Sequence, residues 1–212
     1  MWELIDITLR SLYVSGTATL LSTVWSIPLG MLIGLRSFPG KRLLKGVFNA
    51  LLGIPTVVLG LVLFFILSKG GPLGFLDILY TPLAIIFGQA ILVTPIMVSL
   101  TVNAVESVDP EIKELAKTLG ASETEASFAV LRESTAGVLL AGITSFNRAI
   151  SELGVALMLG GGFRGVTAVL TTTIAVKINS AEPELAIETA IILMTIVFAI
   201  SLVLNLAQRR SQ

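Results

Sequence analysis

Residues 11–35 read SLYVSGTATLLSTVWSIPLGMLIGL, a run of 25 positions without a charge. An apolar helix needs roughly 20 residues to cross a bilayer, so this run predicts a membrane span. Outward from it, residues 47–68 are also uncharged, and a third run from Thr81 or Leu83 to Val105 ends at Glu106. Two further runs are less regular. Residues 134–159 are interrupted by Arg148 and Glu152, and residues 185–207 contain Glu188 near their start. The expected fold is all-α, a polytopic membrane helix bundle of about five spans (11–35, 47–68, 82–105, 134–159 and 185–207). A single transmembrane domain is expected to occupy residues 1–212.

Composition points the same way. The chain is 54% hydrophobic and 13% charged, with a mean hydropathy of +0.93, far from the balance of a soluble domain. The loops left between five spans are too short to hide a soluble domain of ordinary size, so any catalytic engine is expected on another polypeptide. Cysteine and histidine are both absent, which excludes disulfides, thiol nucleophiles, Cys/His zinc sites and ring-ligated haem. No cofactor or metal is expected in this chain. Net charge is zero, which gives no reason to expect a polyanionic partner such as nucleic acid. Met1-Trp-Glu-Leu-Ile-Asp lacks a positive n-region, and the first apolar run is too long for a signal-peptide core, so an uncleaved first span is expected.

Positive residues set the expected orientation. One face receives Arg36, Lys41, Arg42, Lys45, Lys113, Lys117, Arg132, Arg209 and Arg210; the other receives Arg10, Lys69, Arg148, Arg164 and Lys177, 9 against 5 of the 14. The N-terminus is therefore expected outside and the C-terminus in the cytoplasm.

The loop 106–133 falls on the inside and carries two adjacent helix starts. Asp109 can cap, Pro110 suits the first helical position and Glu111 favours the positive end of the dipole. Ile112, Leu115, Ala116 and Leu119 then recur at i, i+3, i+4 and i+7, one apolar stripe, with Lys113, Glu114 and Lys117 off it. Gly120 stands where a left-handed residue ends a helix. Ser122 and Glu125 have capping-box spacing, so a second helix starts there and can run on into the fourth span. Periodicity alone leaves two roles open for the stripe: packing on its own bundle, or docking on another protein.

Glu114-Leu115-Ala116-Lys117-Thr118-Leu119-Gly120-Ala121 resembles the EAA motif of ABC importer permeases, with Leu115 in place of the first alanine and Arg132-Glu133 in place of a distal Leu-Pro. Further stretches are similar to the tungstate branch of the oxyanion permeases: Gly71-Pro72-Leu73-Gly74, Gly88-Gln89-Ala90 with Thr94-Pro95, Val130 to Glu133, Phe146 to Gly154, and Gly160 to Gly165. The resemblance covers nearly the whole chain. It implies the permease subunit of an ATP-driven importer in a prokaryotic cytoplasmic membrane, carrying tungstate, or alternatively molybdate or another oxyanion. It also implies that Glu114, Leu115, Ala116, Leu119, Gly120 and Ala121 couple to a cytoplasmic ATPase present in two copies. A second copy of the permease and an extracytoplasmic substrate-binding protein would complete the assembly within membrane lipid.

Inside the fourth run, Arg148 and Glu152 are spaced to pair at i,i+4, and charges at membrane depth usually face protein or an aqueous cavity. With Asn147 and Ser151 they are candidate pathway or gate residues; a neutralised pair that fixes packing or a dimer seam is the alternative. Gly160 to Gly165 is expected to break the chain at the outer side as a hinge or gate. A nucleotide loop there lacks a preceding strand and a following Lys-Ser/Thr. Gly30 and Gly34 permit close helix contact. Pro28, Pro55 and Pro95 fall within spans as bends or kinks. An intramembrane enzyme is disfavoured by the absence of acid–base or nucleophile sets, and a secondary transporter by the absence of internal repeats. A scaffold would have no need of a loop capped at both ends.

Overall fold

The computed structural model describes residues 2–209; Arg210 lies outside them, as does the side chain of Arg209. In chain order the helices are α1 (Trp2–Leu35), α2 (Lys41–Leu51), α3 (Thr56–Leu67), a 3₁₀ turn (Gly74–Leu76), α4 (Pro82–Glu106), α5 (Pro110–Thr118), α6 (Glu123–Glu133), α7 (Thr135–Ile150), α8 (Gly154–Gly160), α9 (Leu170–Asn179) and α10 (Pro183–Arg209). No strand occurs among the described residues. By length and composition α1, α4 and the described part of α10 can each cross a membrane, and two bent pairs, α2 with α3 and α6 with α7, raise the number to five if each counts as one span.

The centre is the α1–α4 pair. Small residues let the two backbones close: a Cβ on Gly30 would stand 2.7 Å from that of Thr101, and one on Gly34 would stand 2.7 Å from Cγ1 of Val105. The Gly30/Gly34 spacing thus serves contact within the chain. A file of hydroxyls runs along the same face of α1 at helical spacing, Ser11, Ser15, Thr19, Ser22 and Ser26, all buried. Ser15 Oγ donates to Gln89 Oε1 (3.2 Å), Ser22 Oγ pairs with Thr94 Oγ1 (3.2 Å), and Trp25 Nε1 donates to Thr94 Oγ1 (2.9 Å). Hydrocarbon offers these groups no partner, so they bond across the seam. Helix α7 packs against both α4 and α1, with a Cβ on Gly137 only 2.5 Å from that of Ala104.

Two of the apolar runs are broken. Within 47–68 the chain turns by 96° between α2 and α3, because Pro55 has no N–H to give and biases Ile54 away from helical ψ. Within 134–159, α7 stops at Ile150 and α8 starts at Gly154. The breaks pack together: a Cβ on Gly154 would meet Thr56 Oγ1 at 2.7 Å and the Val57 amide nitrogen at 2.9 Å. The helix begun at Ser122 does not run straight on into the next span but bends by 65° between α6 and α7. Two other features escape the hydropathy pattern. Helix α1 begins at Trp2, nine residues ahead of its uncharged run, and α9 occupies a stretch left without an element.

Ion pairs show which loops share an end. Glu106 accepts from Lys41 (3.1 Å) and Lys45 (2.6 Å), joining the first basic loop to the end of α4. At the other end of α1, roughly 50 Å away at 1.5 Å per residue, Glu3 pairs with Arg164. There Arg10 donates to the carbonyls of Gly165 and Ala168.

Candidate functional site

Two places carry the residues singled out above. The first is the α5–α6 elbow. Asp109 Oδ1 accepts from the Glu111 amide at 2.9 Å, and the chain then follows a Schellman turn. Gly120 has φ +92°, its amide reaches Lys117 O (2.9 Å), and the Ala121 amide reaches Ala116 O (3.0 Å). Ser122 and Glu125 close a capping box. Lys113 and Lys117 Nζ both meet Glu123, the latter at 2.9 Å, which ties α5 to α6. Those hydrogen bonds, that from Lys113 foremost, hold the Glu123 carboxyl near 2, well below its ordinary 4.5.

On α5 two of the four stripe residues, Leu115 and Leu119, face outward. Leu115 is 61% and Leu119 80% exposed, and no residue of α5 is buried. Glu114 is exposed beside Lys117 at 3.7 Å. Ile112 and Ala116 are half-buried. Helix α6, in contrast, buries Ala126 and Val130. Its Phe128 is 65% exposed, a residue the periodicity did not single out; the signal was the lone aromatic of α6.

The second place is the end of α7. Arg148 Nη1 meets Glu152 Oε2 at 2.6 Å, with the arginine side chain 36% and the glutamate side chain 2% exposed. Glu152 lies beyond the helix, in the break before α8, where its Oε1 accepts the Val155 amide at 3.0 Å and its carbonyl accepts from Thr171 Oγ1 at 2.8 Å. The carboxylate therefore both orients Arg148 and caps the broken backbone. Asn147 turns away from this pair: its Nδ2 donates to Ser201 Oγ on α10 at 3.0 Å, while its buried Oδ1 has no partner among the described residues. Ser151 is exposed at the break. Arg148 and Glu152 are thus brought together, and Asn147 and Ser151 are not. Neither Thr171 nor Ser201 was visible from the sequence, because each acts across 19 or more residues.

The Gly160 to Gly165 stretch is fastened rather than open. Thr167 Oγ1 donates to Gly160 O and accepts the Phe163 amide, Tyr80 stacks edge-on against Phe163, and the Arg10 contacts close it against α1. No cluster of three or more His, Cys, Asp or Glu able to hold a metal occurs among the described residues.

Comparison with known proteins places this geometry. Residues 26–212 match the family model described as binding-protein-dependent transport system inner membrane component. The chain is 40% identical to the tungstate uptake system permease protein TupB of Peptoclostridium acidaminophilum, over 92% of this chain and 85% of that one. It is 36% identical to a probable anion ABC transporter permease protein of Haloferax volcanii, over 93% and 88%. Among solved structures, a chain of the inward-facing MetNI methionine ABC transporter superposes with a TM-score of 0.77 at 16% identity, covering 100% of this chain and 97% of that one.

Proposed function

From the premise that the chain belongs to the binding-protein-dependent transport system inner membrane components, we propose that it forms the membrane path for tungstate. It is the permease subunit of an ABC importer, a transport protein rather than an enzyme, and it works with an ATPase and a binding protein. The observation that carries the cargo is the 40% identity to a tungstate uptake permease over most of both chains. Molybdate is the alternative. In the proposed assembly two copies of the permease meet two ATPase subunits on the face of Lys41, Lys45 and Glu106, and the binding protein on the face of Arg10 and Arg164.

Helix α5 is the proposed coupling element. Support comes from an apolar stripe exposed at Leu115 and Leu119 on a helix capped at both ends. The reading that this stripe packs on its own bundle has no buried α5 residue behind it. Closure of the ATPase would push α5 as a rigid piece. The Lys113 and Lys117 pairs to Glu123 pass the push to α6, buried Ala126 and Val130 anchor that helix, and the bend at Ser134 turns it along α7. At the far end of α7, the Arg148–Glu152 pair sits at the break whose neighbour is the α2–α3 elbow. Displacement of α7 is therefore expected to shift both breaks together, and Arg148 lends positive potential where an oxyanion would pass.

The test is reconstitution of the permease with its ATPase and binding protein in vesicles. Tungstate-stimulated ATP hydrolysis and uptake are expected, with molybdate a weaker competitor; stimulation by molybdate in preference would reassign the cargo. Because the chain has no cysteine, Ser37→Cys and Phe163→Cys report orientation directly. An impermeant thiol reagent applied to intact cells should label the second and not the first.

A further inference from the structure

We infer that the α1–α2 corner binds one anionic phospholipid of the inner leaflet, head group on Arg36 of the link and Arg42 of α2, and acyl chain in the cleft behind the α2 elbow. The inference rests on the basic end of α1 facing the cytoplasm, as proposed above, and not on the cargo. The cleft encloses about 470 Å³ and is lined by Trp25, Phe48, Leu51, Ile54, Phe87 and Ile91 among others, with Thr94 adding a hydroxyl already bonded to Trp25. Trp25 and Leu51 remain 37% and 38% exposed, so the cleft opens to the side.

At its basic end the chemistry changes sign. Lys45 and Phe48 line a small gap, and beyond it Ser37, Gly40, Lys41, Arg42 and Lys45 surround a second concavity of about 430 Å³ with Glu106. Lys41, Lys45 and Phe48 follow at i, i+4 and i+7, so one face of α2 leads from cations to hydrocarbon. Glu106 engages both lysines. Arg36 and Arg42 are exposed, and neither has an acidic partner among the described residues. Lys41, Arg42 and Lys45 line that concavity against one carboxylate, and Arg36 adjoins its lining residue Ser37 in sequence, leaving an excess of positive charge that a phosphate diester complements.

Length selects a lipid over a small anion. From Glu106 to Thr94 α4 rises about 18 Å at 1.5 Å per residue, close to one leaflet of a hydrocarbon core about 30 Å thick. A phosphate at Arg36 and Arg42 thus places its acyl chain alongside Phe48, Leu51 and Trp25.

Trp25 supplies the probe. The chain has two tryptophans, and Trp2, 87% exposed at the other end of α1, is removed by Trp2→Phe. The full-length protein is reconstituted in phosphatidylcholine vesicles containing a small fraction of acyl-brominated phosphatidylglycerol or, in parallel, acyl-brominated phosphatidylcholine. Quenching of Trp25 should favour the anionic lipid by about fivefold for each free arginine, the factor equivalent to about 1 kcal/mol per cation near a membrane surface. Arg36→Gln with Arg42→Gln should abolish the preference, and Arg36→Lys with Arg42→Lys should restore most of it. Equal quenching by the two lipids, or a preference that survives the double glutamine variant, overturns the inference. Absence of quenching by either lipid also overturns it and assigns the cleft to protein, a second copy being the first to test by cross-linking. No ATPase or binding protein is present, so failure here is distinct from failure of the transport reading.

Discussion

Both the α5–α6 elbow and the α7–α8 break interrupt the helical ladder, yet they satisfy the freed backbone groups from opposite distances. At the elbow every partner is local: Asp109 serves Glu111, Ser122 and Glu125 serve each other, and Gly120 and Ala121 reach back to Lys117 and Ala116. At the break and the hairpin after it, local caps such as Glu152 on the Val155 amide are joined by partners from across the chain. Thr171 serves the Glu152 carbonyl, Ser11 accepts the Leu170 amide, the Tyr80 amide reaches Leu159 O, and Arg10 serves Gly165 and Ala168. Water can stand in for a lost partner at the elbow. It has no access to the buried Glu152 carbonyl and Leu170 amide, so the break depends on several elements being in place together. A self-capped elbow can move as one piece; a remotely capped break moves only with its neighbours.

The largest effect is therefore expected at the break. Arg148→Met leaves the Glu152 carboxylate, 2% exposed, without its cation. Removing one partner of a buried pair costs about 3 kcal/mol or more, taken at the lower end because Arg148 is itself partly exposed. Arg148→Met with Glu152→Gln should recover most of that stability, since the amide oxygen can still accept the Val155 N–H. Thermal unfolding in detergent gives the ordering: double variant near wild type, single variant well below. If stability returns and uptake does not, the pair belongs to the pathway. Stability and uptake equal to wild type in both variants would leave the pair no role in either.

Next comes Ser11, whose hydroxyl accepts the Leu170 amide at 2.8 Å where α9 begins. Ser11→Ala orphans a buried N–H at a cost of about 1–3 kcal/mol. Amide exchange should accelerate around residues 168–173 and not around 110–125. Uniform acceleration throughout would show that the two regions are not energetically separate.

How far each region could be read in advance follows from the same distances. Asp109, Pro110, Gly120, Ser122 and Glu125 announce the elbow because cap and capped group lie within four residues. The long uncharged runs announce an all-helical membrane fold for the same local reason. The 96° turn at Pro55 was signalled only as a bend, since a proline in a span is accommodated or not according to its neighbours. Helix α9 was invisible: Thr171-Thr172-Thr173 has poor helix propensity, and the helix stands because Leu170 is buried and its amide is bonded to Ser11. Arg148 and Glu152 were legible as a pair, but the second duty of Glu152 as a cap depends on a break that hydropathy does not register.

An intermediate effect is expected at Gly120. Nothing lies within 4 Å of a Cβ built there, and its φ is +92°, so Gly120→Val meets backbone strain alone, about 1–2 kcal/mol. The stripe of Leu115 and Leu119 would be reoriented while the membrane core is untouched. Insertion and thermal stability should stay close to wild type, whereas ATPase copurification and stimulated hydrolysis fall. A variant that docks and stimulates normally would remove α5 from the coupling role.

The smallest effect concerns pH, and it separates the elbow's ion pairs from its backbone caps. Glu123 is held near 2 in the folded chain against an ordinary 4.5. Its pKa is depressed on folding, so the stabilisation is complete above 4.5 and is lost as pH falls from there through 2. The partner Lys117 is shifted upward by its bond to Glu123; that contribution is complete below its ordinary 10.5 and is lost only as pH rises above it. Between pH 5 and 9 neither changes, so the tie between α5 and α6 should be independent of pH throughout the range in which uptake is assayed. Because Glu123 is 61% exposed, salt screens the interaction and its contribution to stability is small. Carboxyl carbon chemical shifts of labelled Glu123 should show no titration at pH 4, and Lys113→Gln with Lys117→Gln should bring the midpoint up towards 4.5. The capping box uses Glu125 and Ser122 rather than the lysines, so α6 should keep its amide protection in that double variant. If α6 frays together with the loss of the lysines, the elbow is held by charge rather than by its caps, and it could not act as the self-contained piece that pushes α7.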